Sequence, residues 1–189
     1  QYTFGVMLPA MQADTGWNRE VLAGSFGVYA FVYGVLGMLT GHLTDRFGPR
    51  PVIVAGGLLL TVGYVMLSRA TTVWQLYVAL SGVCACGMSA AFVPCSATVI
   101  RWFVRLRGRA LGIAMMGASA GNIVTPVLAA YMVGALGWRA TYAWMGVVGG
   151  VVIVTAAQFV RRDPAELGLA PDGRDDDVAS ACKQANIAV

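Results

Sequence analysis

Five long stretches without a charged residue dominate this sequence. They cover residues 21–44, 51–68, 70–100, 110–138 and 140–160. A helix needs about 20 mostly apolar residues to cross the hydrocarbon core of a bilayer, and each stretch meets or approaches that length. Only 12% of the 189 residues are charged, about half the share found in soluble domains. The pattern predicts an all-α polytopic membrane protein. It excludes a soluble single domain, and it excludes a nucleic-acid-binding protein despite the net charge of +4.

The ends of the chain differ from these five stretches. Residues 2–11 are apolar but too short to span a bilayer, and Pro9 interrupts them; we interpret them as the outer half of a truncated first helix. Residues 161–189 contain six acidic and four basic residues, which is typical of a solvated linker. We therefore expect a transmembrane bundle over residues 1–160 and a tail over 161–189. The predicted spans cover about residues 1–13 (in part), 21–43, 51–68, 73–100, 110–134 and 140–160.

The basic residues alternate from loop to loop. The loops near Arg19, Arg69 and Arg139 hold one arginine each, whereas the other two loops and the tail together hold the remaining ten of the 13 basic residues. Cytoplasmic loops collect Lys and Arg. The second loop, the fourth loop and the tail are therefore predicted to be cytoplasmic, in an integral protein of the plasma (inner) membrane.

Small residues recur inside two spans. Gly37 and Gly41 stand four apart in the second span, and Gly117 and Gly121 do so in the fifth. Such ridges let helix backbones approach closely where lipid provides no hydrophobic driving force. We expect a tightly packed bundle, with these ridges at helix–helix contacts.

Uncharged polar residues mark a candidate cavity. Ser119 and Asn122 share one face of the fifth span, Tyr29 and Tyr33 lie one turn apart in the second, and Gln12 ends the first. These side chains either line a cavity or form ordinary hydrogen bonds and packing contacts between helices. Both interpretations remain open from the sequence.

The predicted spans contain few residues that could support catalysis or bind a metal. No charged side chain lies deep within the five full spans, whereas an embedded enzyme would need a nucleophile, a metal cluster or a carboxylate pair. Cys84 and Cys86 point to different sides of a helix, which is poor geometry for a metal. We expect no enzyme activity, no cofactor and no metal site.

The second loop combines an acid, two arginines and two glycines within ten residues. Gly48 suits a helix stop at positive φ, and Pro51 suits the first turn of the next helix. The stretch resembles the signature loop between helices two and three of the major facilitator superfamily, G-x-L-x-D-R-x-G-x-R-R. The matching residues are Gly41, Leu43, Asp45, Arg46, Gly48 and Arg50, and Pro51 replaces a second basic residue.

Two further stretches resemble the same family. Arg101-Trp102-Phe103, Arg107-Gly108 and Ala110-Leu111-Gly112 are similar to its pattern at the entry to helix five, where Arg109 adds a further charge and Leu106 replaces an expected basic residue. Gly137-Trp138-Arg139 and the Pro/Gly-rich tail are similar to the monocarboxylate and oxalate/formate transporter branch.

The resemblance implies a fold and a function. It implies the six-helix amino-terminal half of a transporter, built as a 3+3 inverted repeat that faces a second six-helix half. It further implies secondary active transport of a small organic solute, a monocarboxylate or similar organic anion, by alternating access, with Asp45 and its arginines as the gate. The expected partners are the lipid bilayer, the solute and the second half. The alternatives are another solute class (a sugar, a drug or an amino acid) and a six-helix scaffold that transports nothing.

Overall fold

The computed structural model describes residues 2–103 and 106–160 of the chain, and the predicted tail lies outside these described residues. All elements within the described part are helical. They are α1 (Tyr2–Thr15), α2 (Arg19–Phe47), α3 (Pro49–Ser68), α4 (Val73–Tyr77), a π-helical segment (Val78–Cys84), α5 (Ala85–Trp102) and α6 (Arg107–Phe159). Four helical stretches are long and apolar enough to cross a membrane. The predicted all-α polytopic class is confirmed.

One of the four stretches joins three elements. Thr72 begins it with a capping box, in which its hydroxyl accepts from the Gln75 backbone N–H and the Gln75 side chain accepts from the Thr72 N–H. The reciprocal pair satisfies donors that the first helical turn leaves without partners. The apolar helix then runs through the π-helical segment to Ile100, so it covers the predicted span of residues 73–100.

Three glycines with positive φ change the chain direction, and two of them, Gly48 and Gly137, share one backbone conformation. Gly48 separates α2 from α3 with φ 86° and ψ 163°, and Gly137 interrupts α6 with φ 80° and ψ 163°. Residues with a side chain hardly ever adopt this conformation, because it lies in a region open essentially only to glycine. Gly137 therefore divides α6 into a first limb, residues 107–136, and a second limb, residues 138–159. The interruption falls between the predicted fifth and sixth spans, and a total of six spans stays a prediction.

The two glycine turns belong to a longer correspondence. Gly48 and Gly137, Arg50 and Arg139, and Gly57 and Gly146 each stand 89 positions apart. The contact between α3 and the second limb of α6 has the same register. A Cβ at Gly57 would lie 2.9 Å from Ile153 Cγ2, and one at Gly146 would lie 2.5 Å from Tyr64 Cβ; Tyr64 and Ile153 are again 89 apart. The contact of Gly57 with Ile153 is thus repeated, with the two helices interchanged, as the contact of Gly146 with Tyr64. A pseudo-twofold axis that passes near Thr61 and Gly150 relates the two contacts.

Close helix packing uses other glycines than the ridges would suggest. Gly56 and Gly87 bring the backbones of α3 and α5 together, since a Cβ at Gly56 would stand 2.8 Å from the Ala90 carbonyl carbon. Around the predicted ridge glycines of α2 and α6, by contrast, the described chain leaves open space within 4 Å. The expectation that those ridges pack against neighbours is therefore wrong within this part of the protein. A side chain at any of these positions would meet no described neighbour.

Candidate functional site

The α2–α3 turn is anchored by a chain of hydroxyl hydrogen bonds. The Gly48 N–H donates to the Thr44 carbonyl at 2.9 Å, and the Thr44 hydroxyl donates to the Thr40 carbonyl at 2.6 Å. The hydroxyls of Thr40 and Ser89 are hydrogen bonded at 2.8 Å, which joins α2 to α5. All of these groups are buried. The backbone that carries the predicted gating residues is therefore fixed to the bundle.

The charged side chains of this turn lie at the surface. Asp45, Arg46 and Arg50 are all exposed. The Arg46 guanidinium lies 5.5 Å from the centre of the Phe47 ring, and Arg50 donates to the side-chain carbonyl of Gln158 at the end of α6. Arg50 therefore links the start of α3 to the far end of the second limb.

The predicted gating glycines have different roles. Gly48 is buried in the turn and supplies its positive φ. Gly41 is partly buried, and a Cβ there would meet no described atom within 4 Å. Gly48 is therefore required by the backbone, whereas no contact of the described chain requires Gly41.

The arginines between α5 and α6 are only partly described. The side chains of Arg101 and Arg107 lie outside the described part of the structure. Arg109 is exposed in the first turn of α6. These three residues belong to the two helix ends that flank residues 104–105, whereas the sequence pattern assigned them to the loop between the spans.

An aromatic stack runs through the core and includes both candidate tyrosines. The ring centres of Phe4 and Phe26 are 5.9 Å apart, those of Phe26 and Tyr29 are 5.7 Å apart, and those of Tyr29 and Tyr33 are 6.2 Å apart. Tyr29 is buried and Tyr33 is half-buried. Beside the stack is a cavity of about 50 Å³, which Tyr29 lines together with residues such as Tyr64 and Cys84. The cavity is large enough for water and too small for an organic solute.

The other cavity candidates lie elsewhere. Gln12 is half-buried near the end of α1, whereas Ser119 and Asn122 are exposed on the first limb of α6. The Ser119 hydroxyl donates to the Met115 carbonyl of its own helix at 2.9 Å. Within the described chain these residues do not converge with Tyr29 and Tyr33 on one pocket. Ser119 and Asn122 instead belong to an open helix face.

A second polar cluster lies where α1 meets the bend of α6. Asp14 Oδ2 accepts a hydrogen bond from the Trp138 indole N–H at 3.0 Å, and it forms an ion pair with Arg139. The Arg139 guanidinium in turn lies 4.3 Å from the centre of the Trp138 ring. The Arg139 and Trp138 hydrogen bonds lower the pKa of the Asp14 carboxyl. We call Asp14, Trp138 and Arg139 the junction cluster.

The sequence reasoning missed the junction cluster. Gly137-Trp138-Arg139 stood out only as a resemblance, and Asp14 did not stand out at all. The available signal was the 89-residue spacing between Gly48-x-Arg50 and Gly137-x-Arg139, which marks Arg139 as the counterpart of a predicted gating residue.

The geometry is that of a helical membrane bundle with glycine turns at the same register in two halves. The family model of the Major Facilitator Superfamily matches residues 1–185. The chain belongs to the Major Facilitator Superfamily. Members of this superfamily are transporters rather than enzymes, and the chain is accordingly an integral membrane protein.

Several curated relatives of this superfamily member are transporters. It is 34% identical to the fujikurins efflux protein of Gibberella fujikuroi, over 76% of this chain and 31% of the relative. It is 27% identical to monocarboxylate transporter 11 of Mus musculus, over 74% and 39% of the two chains, and 29% identical to monocarboxylate transporter 6 of Homo sapiens, over 88% and 31%. These relatives support the monocarboxylate-like branch. The chain spans about a third of the length of each of them.

Proposed function

We propose that this chain is the amino-terminal six-helix half of a secondary transporter. The proposed transporter moves a small organic anion, such as a monocarboxylate, across the plasma membrane by alternating access. The observation that carries the proposal is the pair of open helix faces on α2 and on the first limb of α6. The superfamily membership and the monocarboxylate transporter relatives support the same function.

The open faces carry both apolar and polar groups. Phe31 and Met38 of α2 are 73% and 83% exposed, and Ile123 of α6 is 72% exposed. Ser119 and Asn122 lie exposed among such residues. Polar side chains in a span face a bundle interior or a water-filled cavity rather than lipid. The faces therefore favour a second helical half with a polar cavity between the two halves, while lipid surrounds the assembly.

The open glycines of these two helices support the same arrangement. Gly34 and Gly37 of α2 and Gly117 and Gly121 of α6 meet no described atom within 4 Å of an added Cβ. Small residues on membrane helices allow close backbone contact. A second half that carries complementary helices would use them, whereas lipid chains have no need of them.

The charge distribution supports the proposed orientation and gate. The α2–α3 turn, the α5–α6 connection and the tail carry ten of the 13 basic residues, which favours a cytoplasmic location for all three. Asp45, Arg46 and Arg50 would then stand at the cytoplasmic entrance. In the proposed mechanism this charge cluster holds the outward-facing state together and releases it during the transport cycle.

A second candidate function is the efflux of a different organic compound. The relative from Gibberella fujikuroi, which is named as an efflux protein, favours it. Both candidates use the same gate and the same two halves. They differ in the solute and in the direction of transport.

The gating proposal is tested with Asp45→Asn in the full-length protein, reconstituted in vesicles and assayed for uptake of radiolabelled monocarboxylates. Hydrogen bonds to charged groups contribute about 1.5–3 kcal/mol, so transport is expected to fall by about tenfold to a hundredfold. Glu20→Gln is the matched control, because Glu20 is an exposed acid at the opposite end of α2. Normal uptake kinetics of Asp45→Asn would remove the gating role.

The orientation is tested separately by single-cysteine labelling with an impermeant thiol reagent in intact cells. A cysteine at position 109 is expected to react only after the cells are permeabilised. Labelling from outside would overturn the proposed topology.

A further inference from the structure

The three side chains of the junction cluster form a closed set of contacts. Asp14 Oδ2 accepts from both Trp138 and Arg139, and the Arg139 guanidinium also stacks on the Trp138 ring at 4.3 Å. Each group therefore touches the other two. A cation over a tryptophan face and a charge-assisted hydrogen bond reinforce each other when they fix the same guanidinium.

Apolar contacts one turn deeper continue the cluster. Trp138 is 4% exposed, and its ring meets that of Tyr142 edge to face with centres 6.2 Å apart. The Tyr142 hydroxyl lies 4.0 Å from the Met11 sulfur, and Met11 is completely buried. Because Met11 and Asp14 are three residues apart on α1, both face the second limb of α6. The last turns of α1 are thus held by two successive turns of that limb.

The opposite face of α1 is open. Gly5, Pro9 and Ala13 recur every four residues and are all exposed. Gly5 meets no described atom within 4 Å of an added Cβ. The last turns of α1 are therefore held by α6, whereas its first turn is held by the stack of Phe4 on Phe26 of α2.

We propose that Asp14, Trp138 and Arg139 are positioning residues that clamp the end of α1 onto the second limb of α6. The clamp makes these two segments move as one body. During transport, the clamp would keep the open face of α1 in a fixed orientation toward the solute path. This consequence rests on the proposed function. The clamp itself is a property of the bundle and does not depend on the solute.

The corresponding contact at the other turn is chemically different. Arg50 stands 89 residues before Arg139 and donates to the neutral amide of Gln158. The junction cluster instead joins a cation to a carboxylate. Exchanging the two charges can therefore preserve the pairing at the junction cluster, which makes the proposal testable by rescue.

The test measures the position of α1 in the full-length protein in detergent. Nitroxide labels are placed at Ala13→Cys and Thr71→Cys, two exposed positions, after replacement of the native cysteines. Double electron–electron resonance then gives the distribution of distances between them. We expect one narrow distribution in the parent protein, and an added longer-distance population in both Asp14→Asn and Arg139→Gln. The exchanged pair, Asp14→Arg with Arg139→Asp, should recover the narrow distribution in part, because it restores the ion pair but leaves the Trp138 N–H without its carboxylate acceptor.

Controls separate the clamp from general loss of structure. Arg69→Gln removes another exposed arginine, at the end of α3, and is expected to leave the distribution unchanged. Distributions for Asp14→Asn and Arg139→Gln that equal the parent would overturn the proposal, as would an exchanged pair that is no narrower than the single variants. Because the distances are measured without solute, a failure to transport organic anions would refute the proposed function and leave this result unaffected.

Discussion

Gly150 offers a sharp test of the contact between α3 and the second limb of α6. A methyl group at this position would overlap the Thr61 hydroxyl oxygen and would stand 3.2 Å from Thr61 Cβ. The hydroxyl lies 3.0 Å from the Gly57 carbonyl in its own helix and 3.3 Å from the Gly146 carbonyl across the interface. Gly150→Ala must therefore displace this hydroxyl or separate the two helices.

The expected magnitude follows from two opposing effects. Overpacking a well-filled interior costs about 1–3 kcal/mol, and loss of an interhelical hydrogen bond in a membrane adds about 0.6 kcal/mol. Replacing glycine by alanine within a helix returns about 1 kcal/mol. Gly149→Ala is the matched control, because an added Cβ there meets no described atom within 4 Å. The gain from alanine is the same in both variants and cancels, so Gly150→Ala should be about 1.6–3.6 kcal/mol less stable than Gly149→Ala.

The assay is unfolding of the full-length protein by SDS titration in mixed micelles, followed by circular dichroism. Thr61→Ala removes the oxygen that the new methyl group would meet, so it should restore most of the stability lost in Gly150→Ala. Equal unfolding free energies for Gly150→Ala and Gly149→Ala would refute the packing argument. Failure of Thr61→Ala to improve Gly150→Ala would show that the overlap with this hydroxyl is not the cause.

Two more outcomes are expected. Gly137→Ala should destabilise the protein by about 1–3 kcal/mol, because φ 80° with ψ 163° is open essentially only to glycine. The control variant Gly134→Ala should not destabilise it, because an added Cβ at this helical position meets no described atom within 4 Å. Equal thermal midpoints of the two variants would contradict the role of the bend at Gly137. The Arg139 and Trp138 hydrogen bonds hold the pKa of Asp14 below the ordinary value of an aspartate. The stabilisation by its ionised form is therefore present above that ordinary value and is lost as pH falls through the lower pKa of the folded state. The distance between labels at positions 13 and 71 should therefore stay constant from pH 8 to pH 5, and a transition within that range would show that the pKa of Asp14 is raised rather than lowered in the folded protein.

Helix positions in the membrane follow from charge-free stretches, whereas helix ends do not. The stretch predicted for residues 73–100 lies within one continuous helical stretch, which begins at Val73 and continues to Trp102. The second span was predicted for residues 21–43, yet α2 runs from Arg19 to Phe47. Hydropathy reports the part of a helix that lies in hydrocarbon. Backbone hydrogen bonding continues into the interface until a residue such as Gly48 ends it, and for this reason the stop signal predicted the end of α2 better than hydropathy did.

Glycine contacts could not be assigned from local spacing alone. Gly37 and Gly41 have the spacing of a packing ridge, yet an added Cβ at either position would meet no described atom within 4 Å, whereas Gly56 packs against α5. Spacing shows that a helix can make a close contact, but the arrangement of the whole bundle decides which helix is near. The junction cluster escaped prediction for a related reason: Asp14 and Arg139 are 125 residues apart, and each alone resembles an ordinary charge at a membrane edge.

The 89-residue register connects these observations and explains why α3 and the second limb of α6 approach closely around Thr61 and Gly150. Near a twofold axis a residue of one repeat contacts the equivalent residue of the other repeat. The two side chains can both be accommodated there only if their combined volume is small. Thr61 and Gly150 are counterparts, and glycine leaves just enough room for the threonine hydroxyl. Away from the axis each pair occurs twice, so Gly57 receives Ile153 and Gly146 receives Tyr64. A small residue in one repeat is therefore required wherever the other repeat supplies a large one. This condition constrains α3 and the second limb together, and it does not apply to the open faces of α2 and the first limb.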